Sequence, residues 1–340
     1  MSSQPQSQQP TPSLIFDTMN AYQRTAALRG AIELDLFSAI DAGAVTAAEL
    51  AGEIKGSERG TRILCDYMVI IGFLNKQGDR YSLTPESAKF LSRRSPAYLG
   101  SAVTFLNAPL MLDSFRDVAA IVRNGGAVLT EEGTMAPEHP IWVEFARAMA
   151  PLMTMASEFI AELVGAESGE PWKVLDIAAG HGLFGIAIAK RNPNARIVAL
   201  DWPSVLAVAT ENAQQGGVAD RHGALPGSAF VAEYGSGYDL ALLTNFLHHF
   251  DEPTCEILLR KVYASLKPGG RLVTLEFIPN EDRVSPAASA GFSLMMLGTT
   301  ASGDAYTFSQ LEKMLRNAGF STNELHSLPS PEQRVIVSQK

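Results

Sequence analysis

The C-terminal half of the chain alternates short apolar runs with helical stretches, and this alternation restricts the possible folds more than any other feature. Strand-like runs at Lys173 to Ala178, Arg196 to Leu200, Asp239 to Leu243 and Arg271 to Phe277 are separated by helical segments after Gly182, after Pro203 and from Pro253 to Leu266. Strands that alternate with helices pair in parallel, so the expected fold class is α/β, a Rossmann-like, doubly wound, mostly parallel sheet. Gly165 to Pro171, small, polar and containing Gly and Pro, is a natural start for that domain. In open sheets of this kind ligands bind beyond the carboxyl ends of the strands, so the polar residues at four strand ends are the candidates for chemistry.

The first end is Val174-Leu175-Asp176-Ile177-Ala178-Ala179-Gly180-His181-Gly182, where small residues let a ligand approach the backbone. Gly180 to Gly185 matches the dinucleotide pattern Gly-x-Gly-x-x-Gly, yet Asp176 stands four positions earlier, and an anion there suits a cationic ligand better than a diphosphate. S-adenosylmethionine, with an ammonium, a sulfonium and no phosphate, is such a ligand. The alternatives are an NAD-dependent dehydrogenase and a glycine turn kept for packing alone. The second strand ends at Asp201, 25 residues after Asp176, where a carboxylate either accepts both hydroxyls of a ribose or caps the next helix. The third runs into His248 and His249, and an imidazole is a suitable general base for a hydroxyl nucleophile. No further His or Cys stands at ligand spacing, so no metal is expected. The fourth carries Glu276 in an apolar strand. A carboxylate there either reaches solvent or pairs with an imidazole on the adjacent strand end, orienting it and stabilising its charged form.

From Leu14 to about Val164 the chain reads as mostly helical. Thr46 and Glu49 make a capping box, a helix is expected from about Ser57 to Gly72, and Phe73 to Thr84 reads as a hairpin turning at Gln77-Gly78-Asp79, a winged-helix outline. Between Leu14 and Gly100 ten acidic residues meet ten basic ones, and the would-be recognition helix sets Glu58 and Asp66 against Arg59 and Arg62. A packing or dimerisation module is therefore expected and a nucleic-acid partner is not, in keeping with a net charge of −9. Cys65 and Cys255 form no Cys-x-x-Cys pair, which suits a reducing cytoplasm. Residues 1–13, rich in Ser, Gln and Pro, read as a disordered tail and not a secretory signal. The most apolar runs, around Met68 to Leu74 and Phe292 to Leu297, fall far short of the roughly 18 residues of a membrane span, so no membrane contact is expected. The expected organisation is a tail (1–13), a winged-helix-like dimerisation domain (14–100), connecting helices (101–170) and a catalytic domain (171–340).

In order and spacing, Val174 to Gly182, Asp201-Trp202-Pro203-Ser204-Val205, Leu247-His248 followed by Cys255, and Leu266-Lys267-Pro268-Gly269-Gly270-Arg271-Leu272-Val273 resemble the class I S-adenosylmethionine-dependent methyltransferases. The likeness is to the plant caffeic acid and acetylserotonin O-methyltransferase type and its bacterial relatives, and it runs from about Phe16 to the end. It implies a homodimer built by the N-terminal domain and methyl transfer to a hydroxyl of a small aromatic acceptor. N- or C-methylation, or cofactor binding without methyl transfer, stays open on the same scaffold.

By the same resemblance His248 is the base and Glu276 the glutamate that holds its imidazole, while His249 falls where the family usually has Asp and Phe250 at an aromatic position near adenine. Cofactor contacts are implied for Asp176, Ala178 (a glycine in the family), Gly180, Asp201, Trp202, Ser228 and Ala229. Glu144 to Met149 is similar to the family's Phe-x-x-x-Met helix, which puts Phe145 and Met149 at the acceptor, core filling being the alternative for Met149. Met295, in the apolar Phe292 to Leu297 stretch, is a further lining candidate. Three positions depart from the pattern. Ser228 stands where a carboxylate accepts from the adenine amine, and a hydroxyl accepts more weakly. Ala305 stands where a second glutamate is usual, with Asp304 adjacent, which leaves His248 one clear carboxylate partner. Thr244 replaces a polar or basic residue found near the cofactor in some relatives.

Overall fold

The computed structural model describes residues 10–128, 138–329 and 332–340, in two compact units spanning residues 1–108 and 109–340. Of the tail expected over residues 1–13, residues 1–9 lie outside the described residues.

The first unit comprises helices α1 (Ser13–Met19), α2 (Ala21–Glu33), α3 (Leu36–Asp41), α4 (Ala47–Glu53) and α5 (Glu58–Ile70), strands β1 (Leu74–Gln77) and β2 (Arg80–Leu83), then α6 (Pro85–Phe90) and α7 (Gly100–Leu106). The capping box that starts α4 is formed: the Thr46 hydroxyl accepts from the Glu49 N–H, and the Glu49 carboxylate accepts from the Thr46 N–H. The expected hairpin pairs Leu74 with Leu83 and Gln77 with Arg80, and Gly78 takes the left-handed turn conformation (φ 62°). Leu36, Phe37, Leu50, Met68 and Tyr81 fill the core beneath it. Asp66 of α5 is occupied inside this unit, receiving the Tyr81 hydroxyl and pairing with both Arg62 and Lys76. In contrast, α1 buries no residue, and Leu14, Ile15, Phe16 and Met19 are all more than half exposed.

The second unit opens with α8 (Pro109–Asp113), α9 (Val118–Asn124) and the long α10 (Ile141–Leu163), followed by β3 (Lys173–Ile177), α11 (Leu183–Arg191), β4 (Arg196–Asp201), α12 (Pro203–Gln215), β5 (His222–Pro226), β6 (Tyr238–Thr244), α13 (Glu252–Ser265), β7 (Leu266–Glu276), α14 (Ala287–Thr299), α15 (Phe308–Ala318), β8 (Thr322–Ser327) and β9 (Arg334–Gln339). Seven strands form one sheet in the order β5-β4-β3-β6-β7-β9-β8, parallel except at β9 and β8. Successive residues of a strand face opposite sides, so β6 sends Leu240 and Leu242 into one core layer and Ala241 and Leu243 into the other.

The four expected strands are present. The edge strand β5 carries too few buried apolar residues to announce itself, and the β8–β9 hairpin adds an antiparallel edge that the parallel reading did not include. Leu266 already pairs with Tyr238, and the Lys267 to Gly270 turn interrupts the ladder as an irregularity before Arg271. Gly165 to Pro171 links α10 to β3 within this unit, because Ala156, Ile160, Ala161 and Val164 pack with Phe184, Ile186 and Ala187 of α11. Of residues 101–170, those to Ala108 belong to the first unit and the rest to the second.

Candidate active site

Two parallel strands on either side of the β3/β6 boundary set up the site. Beyond β3 the chain turns through Ala178 (φ 52°), Gly180 (φ 57°) and Gly182 (φ 73°) before α11 begins. Ala178 thus holds a left-handed conformation that a Cβ makes costly by roughly 1 kcal/mol.

Asp201, at the end of β4, reaches across to this turn. Its Oδ2 accepts from the Gly180 N–H at 2.8 Å and its Oδ1 from the Trp202 N–H at 2.7 Å. It does not cap α12, whose N-cap is Trp202. Burial pushes the Asp201 carboxyl up to about 6, against the opposing effect of the two N–H groups. Asp176 lies deeper and is fully buried. Its Oδ2 accepts from the Gly185 N–H at 3.0 Å, Oδ1 has no partner, and burial pushes the group up to about 7. Two carboxylates stand here with no ion-pairing Lys or Arg among the described residues. Of the two, Asp201 is the one ionised at neutral pH and bonded to the cradle's backbone, and a carboxylate without a cationic partner there fits a cationic nucleoside and opposes a diphosphate.

The second half of the site lies beyond β6. Glu276, the last residue of β7, is 3% exposed, and His248 is 5% exposed. The imidazole Nδ1 meets Glu276 Oε2 at 2.5 Å, while Oε1 accepts from the Phe246 and Leu247 N–H groups at 3.0 and 2.8 Å. One carboxylate therefore anchors both the imidazole and the short 3₁₀ turn, Leu247–His249, that carries it. The far side of that turn is tightly held as well: the Cys255 thiol meets the Leu247 carbonyl, the Tyr306 hydroxyl donates to the Phe250 carbonyl, and a Cβ on Gly303 would collide with the His248 carbonyl oxygen.

Around His248 stand Phe292 of α14, 4.9 Å away between ring centroids and edge to face, and the His249 ring, 4.4 Å away. Phe292 in turn stacks flat on Phe277. His249 also meets Trp142 of α10, and Trp142 meets Phe145 edge to face. Met149 and Met153 continue the same helix face at i+4 and i+8 from Phe145, both half-buried, and the Asn245 amide contacts the Met153 sulfur. Met295 lies one turn beyond Phe292 and is half-buried. Ser228 and Ala229 precede Phe230, which packs edge to face on Phe250. The Ser228 hydroxyl accepts from the Phe230 N–H.

The structure therefore brings His248, Glu276, Phe292 and, through His249, the Trp142–Phe145 face together, and Asp201 and Gly180 into one cradle. Asp176 stays beneath that cradle. Asp304 turns to Arg283 in an ion pair and has no hydrogen bond to His248. Sequence reasoning did not find the stacking of Phe277 on Phe292 or the His249–Trp142 contact, since each joins residues from separate elements. Among the described residues no cluster of metal-ligating side chains occurs and no helix is long and apolar enough to cross a membrane.

The model of the O-methyltransferase domain matches residues 143–321, and that of the O-methyltransferase dimerisation domain matches residues 16–93. The chain belongs to this O-methyltransferase family. Its methyl donor is accordingly S-adenosylmethionine, not a dinucleotide, and the family is that of the acetylserotonin O-methyltransferases and their bacterial relatives. Among similar proteins is the 3-hydroxy-5-methyl-1-naphthoate 3-O-methyltransferase of Streptomyces sahachiroi, 27% identical over 96% of this chain and 94% of that one. A candidate O-methyltransferase from Nostoc punctiforme superposes with a TM-score of 0.94 at 54% identity, covering 97% of this chain and all of the other. Human N-acetylserotonin methyltransferase, solved with S-adenosylmethionine, shares the fold at a TM-score of 0.84 and 23% identity, with 99% of each chain covered.

Proposed function

We propose that this O-methyltransferase methylates a hydroxyl of a small, flat aromatic acceptor with His248 as general base, working in the cytoplasm as a homodimer. The observation that carries the reading is the buried His248–Glu276 pair at the carboxyl edge of β6. Donation of Nδ1–H to Glu276 leaves Nε2 unprotonated, so its lone pair can take the acceptor's hydroxyl proton as the oxygen attacks. Glu276 then stabilises the imidazolium. S-adenosylmethionine, when bound, supplies an electrophilic methyl group on a positively charged sulfur.

The remaining residues bind and orient. Asp201 holds the ribose hydroxyls with the lone pairs left free by its two backbone bonds, and Trp202 flanks it. Ala178 and Gly180 admit the methionyl part against the backbone. Asp176 offers charge complementarity from beneath and fixes the start of α11. Ser228, Ala229 and Phe250 border the adenine. Phe145, Met149 and Met295 line the acceptor recess, whose aromatic rings suit a flat ring. Much of the acceleration would come from holding oxygen and methyl in line.

An aromatic acceptor is supported by the hydroxynaphthoate named for the Streptomyces sahachiroi relative. The matched dimerisation domain and the bare apolar surface of α1 support a homodimer, and two buried free cysteines suit a reducing compartment. The test is methyl-labelled donor incubated with hydroxynaphthoates and phenols, with products read by mass spectrometry, for the native protein and His248→Ala. The variant should lose about 10²- to 10⁴-fold in turnover while keeping donor affinity within a few-fold. Unchanged turnover removes His248 from the mechanism, and label on nitrogen or carbon removes the hydroxyl acceptor.

A further inference from the structure

The turn that follows β5 stands next to the Asp201 cradle: Pro226 pairs with Asp201 in the sheet, and the Gly227 N–H donates to the Asp201 carbonyl at 2.9 Å. The connection it opens, residues 227–237, contains no helix or strand and has Gly227 and Gly235 at positive φ (140° and 72°), so its backbone has much freedom to lose on ordering. Inside it, the Ser228 carbonyl accepts from the Val231 and Ala232 N–H groups and the Phe230 N–H donates to the Ser228 hydroxyl. These bonds round the turn without tying it to a rigid element.

Lys261 of α13 supplies such a tie. Its Nζ donates to the Phe230 carbonyl at 2.8 Å and to the Ala229 carbonyl at 3.3 Å, and lies 4.3 Å from the centre of the Tyr234 ring. The Tyr234 hydroxyl donates to the same Ala229 carbonyl, and the Tyr238 hydroxyl, at the start of β6, donates to the Tyr234 carbonyl. Helix, turn and strand are thereby closed into one circuit. Partial burial lowers the pKa of the Lys261 ammonium, with the charge of Glu233 acting in the opposite sense. A bond from a charged donor is roughly twice as strong as a neutral one, so these two carbonyls are firmly held. The same helix holds the other side of the site, where the Cys255 thiol meets the Leu247 carbonyl at 3.2 Å and the Phe250 ring packs edge to face on Phe230.

We infer that Lys261 is a positioning residue for the methyl donor: bonded to the Ala229 and Phe230 carbonyls, it holds the 227–230 turn in its binding conformation before the donor arrives. This rests on the reading that Ser228 and Ala229 border the adenine. Without the ammonium the donor itself has to order the turn, and the free energy of ordering is subtracted from its affinity. Linkage makes the effect reciprocal: if the Lys261 bonds favour the donor, the bound donor favours the Lys261 bonds by the same factor.

Calorimetry with S-adenosylhomocysteine, which binds without reacting, should show Lys261→Met weaker than native by about tenfold or more, since two bonds from a charged donor are lost. Adenosine should lose the same factor, because the turn meets the base end of the ligand. Hydrogen exchange read by mass spectrometry should find residues 227–234 exchanging faster in free Lys261→Met than in the free native protein, with β3 and β6 unchanged. In the native protein, S-adenosylhomocysteine should slow acetylation of Lys261 by acetic anhydride and leave that of the exposed Lys190 as it was. Affinity of Lys261→Met within about threefold of native overturns the inference. So does acetylation of Lys261 at one rate with and without ligand, a result that needs no variant to fold. Exchange of residues 227–234 in the native protein separates the two claims: no slowing on ligand binding removes the turn from the donor site and the inference with it, while slowing with unchanged affinity in Lys261→Met refutes the role of Lys261 alone.

Discussion

Replacing Glu276 by Gln tests the catalytic geometry with the least structural disturbance. The glutamine carbonyl can still accept from the Phe246 and Leu247 N–H groups, so the turn keeps its anchor. What changes is the other end of the side chain. At the position of Oε2 an NH₂ group now faces His248 Nδ1, and two donors cannot bond. The imidazole is forced to accept at Nδ1 and to carry its proton on Nε2, which removes the lone pair that would take the acceptor's proton. The carboxylate charge opposite the imidazolium is lost as well. At an effective dielectric near 20, two unit charges about 4 Å apart interact by about 4 kcal/mol. At about 1.36 kcal/mol per tenfold, that is close to three decades, within the 10²- to 10⁴-fold span of general-base contributions. Glu276→Gln should therefore lower kcat about a thousandfold. Circular dichroism and calorimetric affinity for S-adenosylmethionine should stay near native, and the loss should combine non-additively with His248→Ala. Turnover within tenfold of native with donor binding intact would refute the argument.

Two further outcomes follow from other parts of the molecule. Burial raises the folded Asp176 carboxyl to about 7, so its contribution to stability is fully present below its unfolded value and is lost as pH rises through about 7. His181, lowered to about 4 by burial, acts in the opposite sense, so the comparison must be between native protein and Asp176→Asn. The midpoint of the variant should gain on the native one between pH 4 and about 7 in the ligand-free protein, and parallel curves would contradict this. In the N-terminal unit, Phe16 is 56% exposed on a helix that buries nothing. Phe16→Glu should shift sedimentation from dimer towards monomer, and an unaltered dimer would exclude this face from the interface.

Much of the architecture was legible before any coordinates. The Thr46 capping box and the hairpin around Gly78 depend on neighbours a few residues apart, so local chemistry decides them. The same holds for β3, β4, β6 and β7, whose side chains are buried on both faces and leave continuous apolar runs. β5 and β8 escaped notice because edge strands expose one side and need no such run. Asp176 shows a subtler limit: its position four residues before Gly180 suggested an acidic group near the ligand, but only the fold shows that one oxygen is spent on the Gly185 N–H while the other is left without a partner.

The sequence by itself determined which residues end each strand, and hence that carboxylates and imidazoles collect at one edge of a parallel sheet. Only the tertiary structure decided which of them meet. Glu276 reaches His248 because β6 and β7 lie side by side in parallel, and the His249 ring is enclosed because α10 brings Trp142 to it. A hydrogen bond or a desolvated nitrogen is a property of distances between atoms far apart in the chain. Those distances are set by packing and leave no mark on local residue pattern.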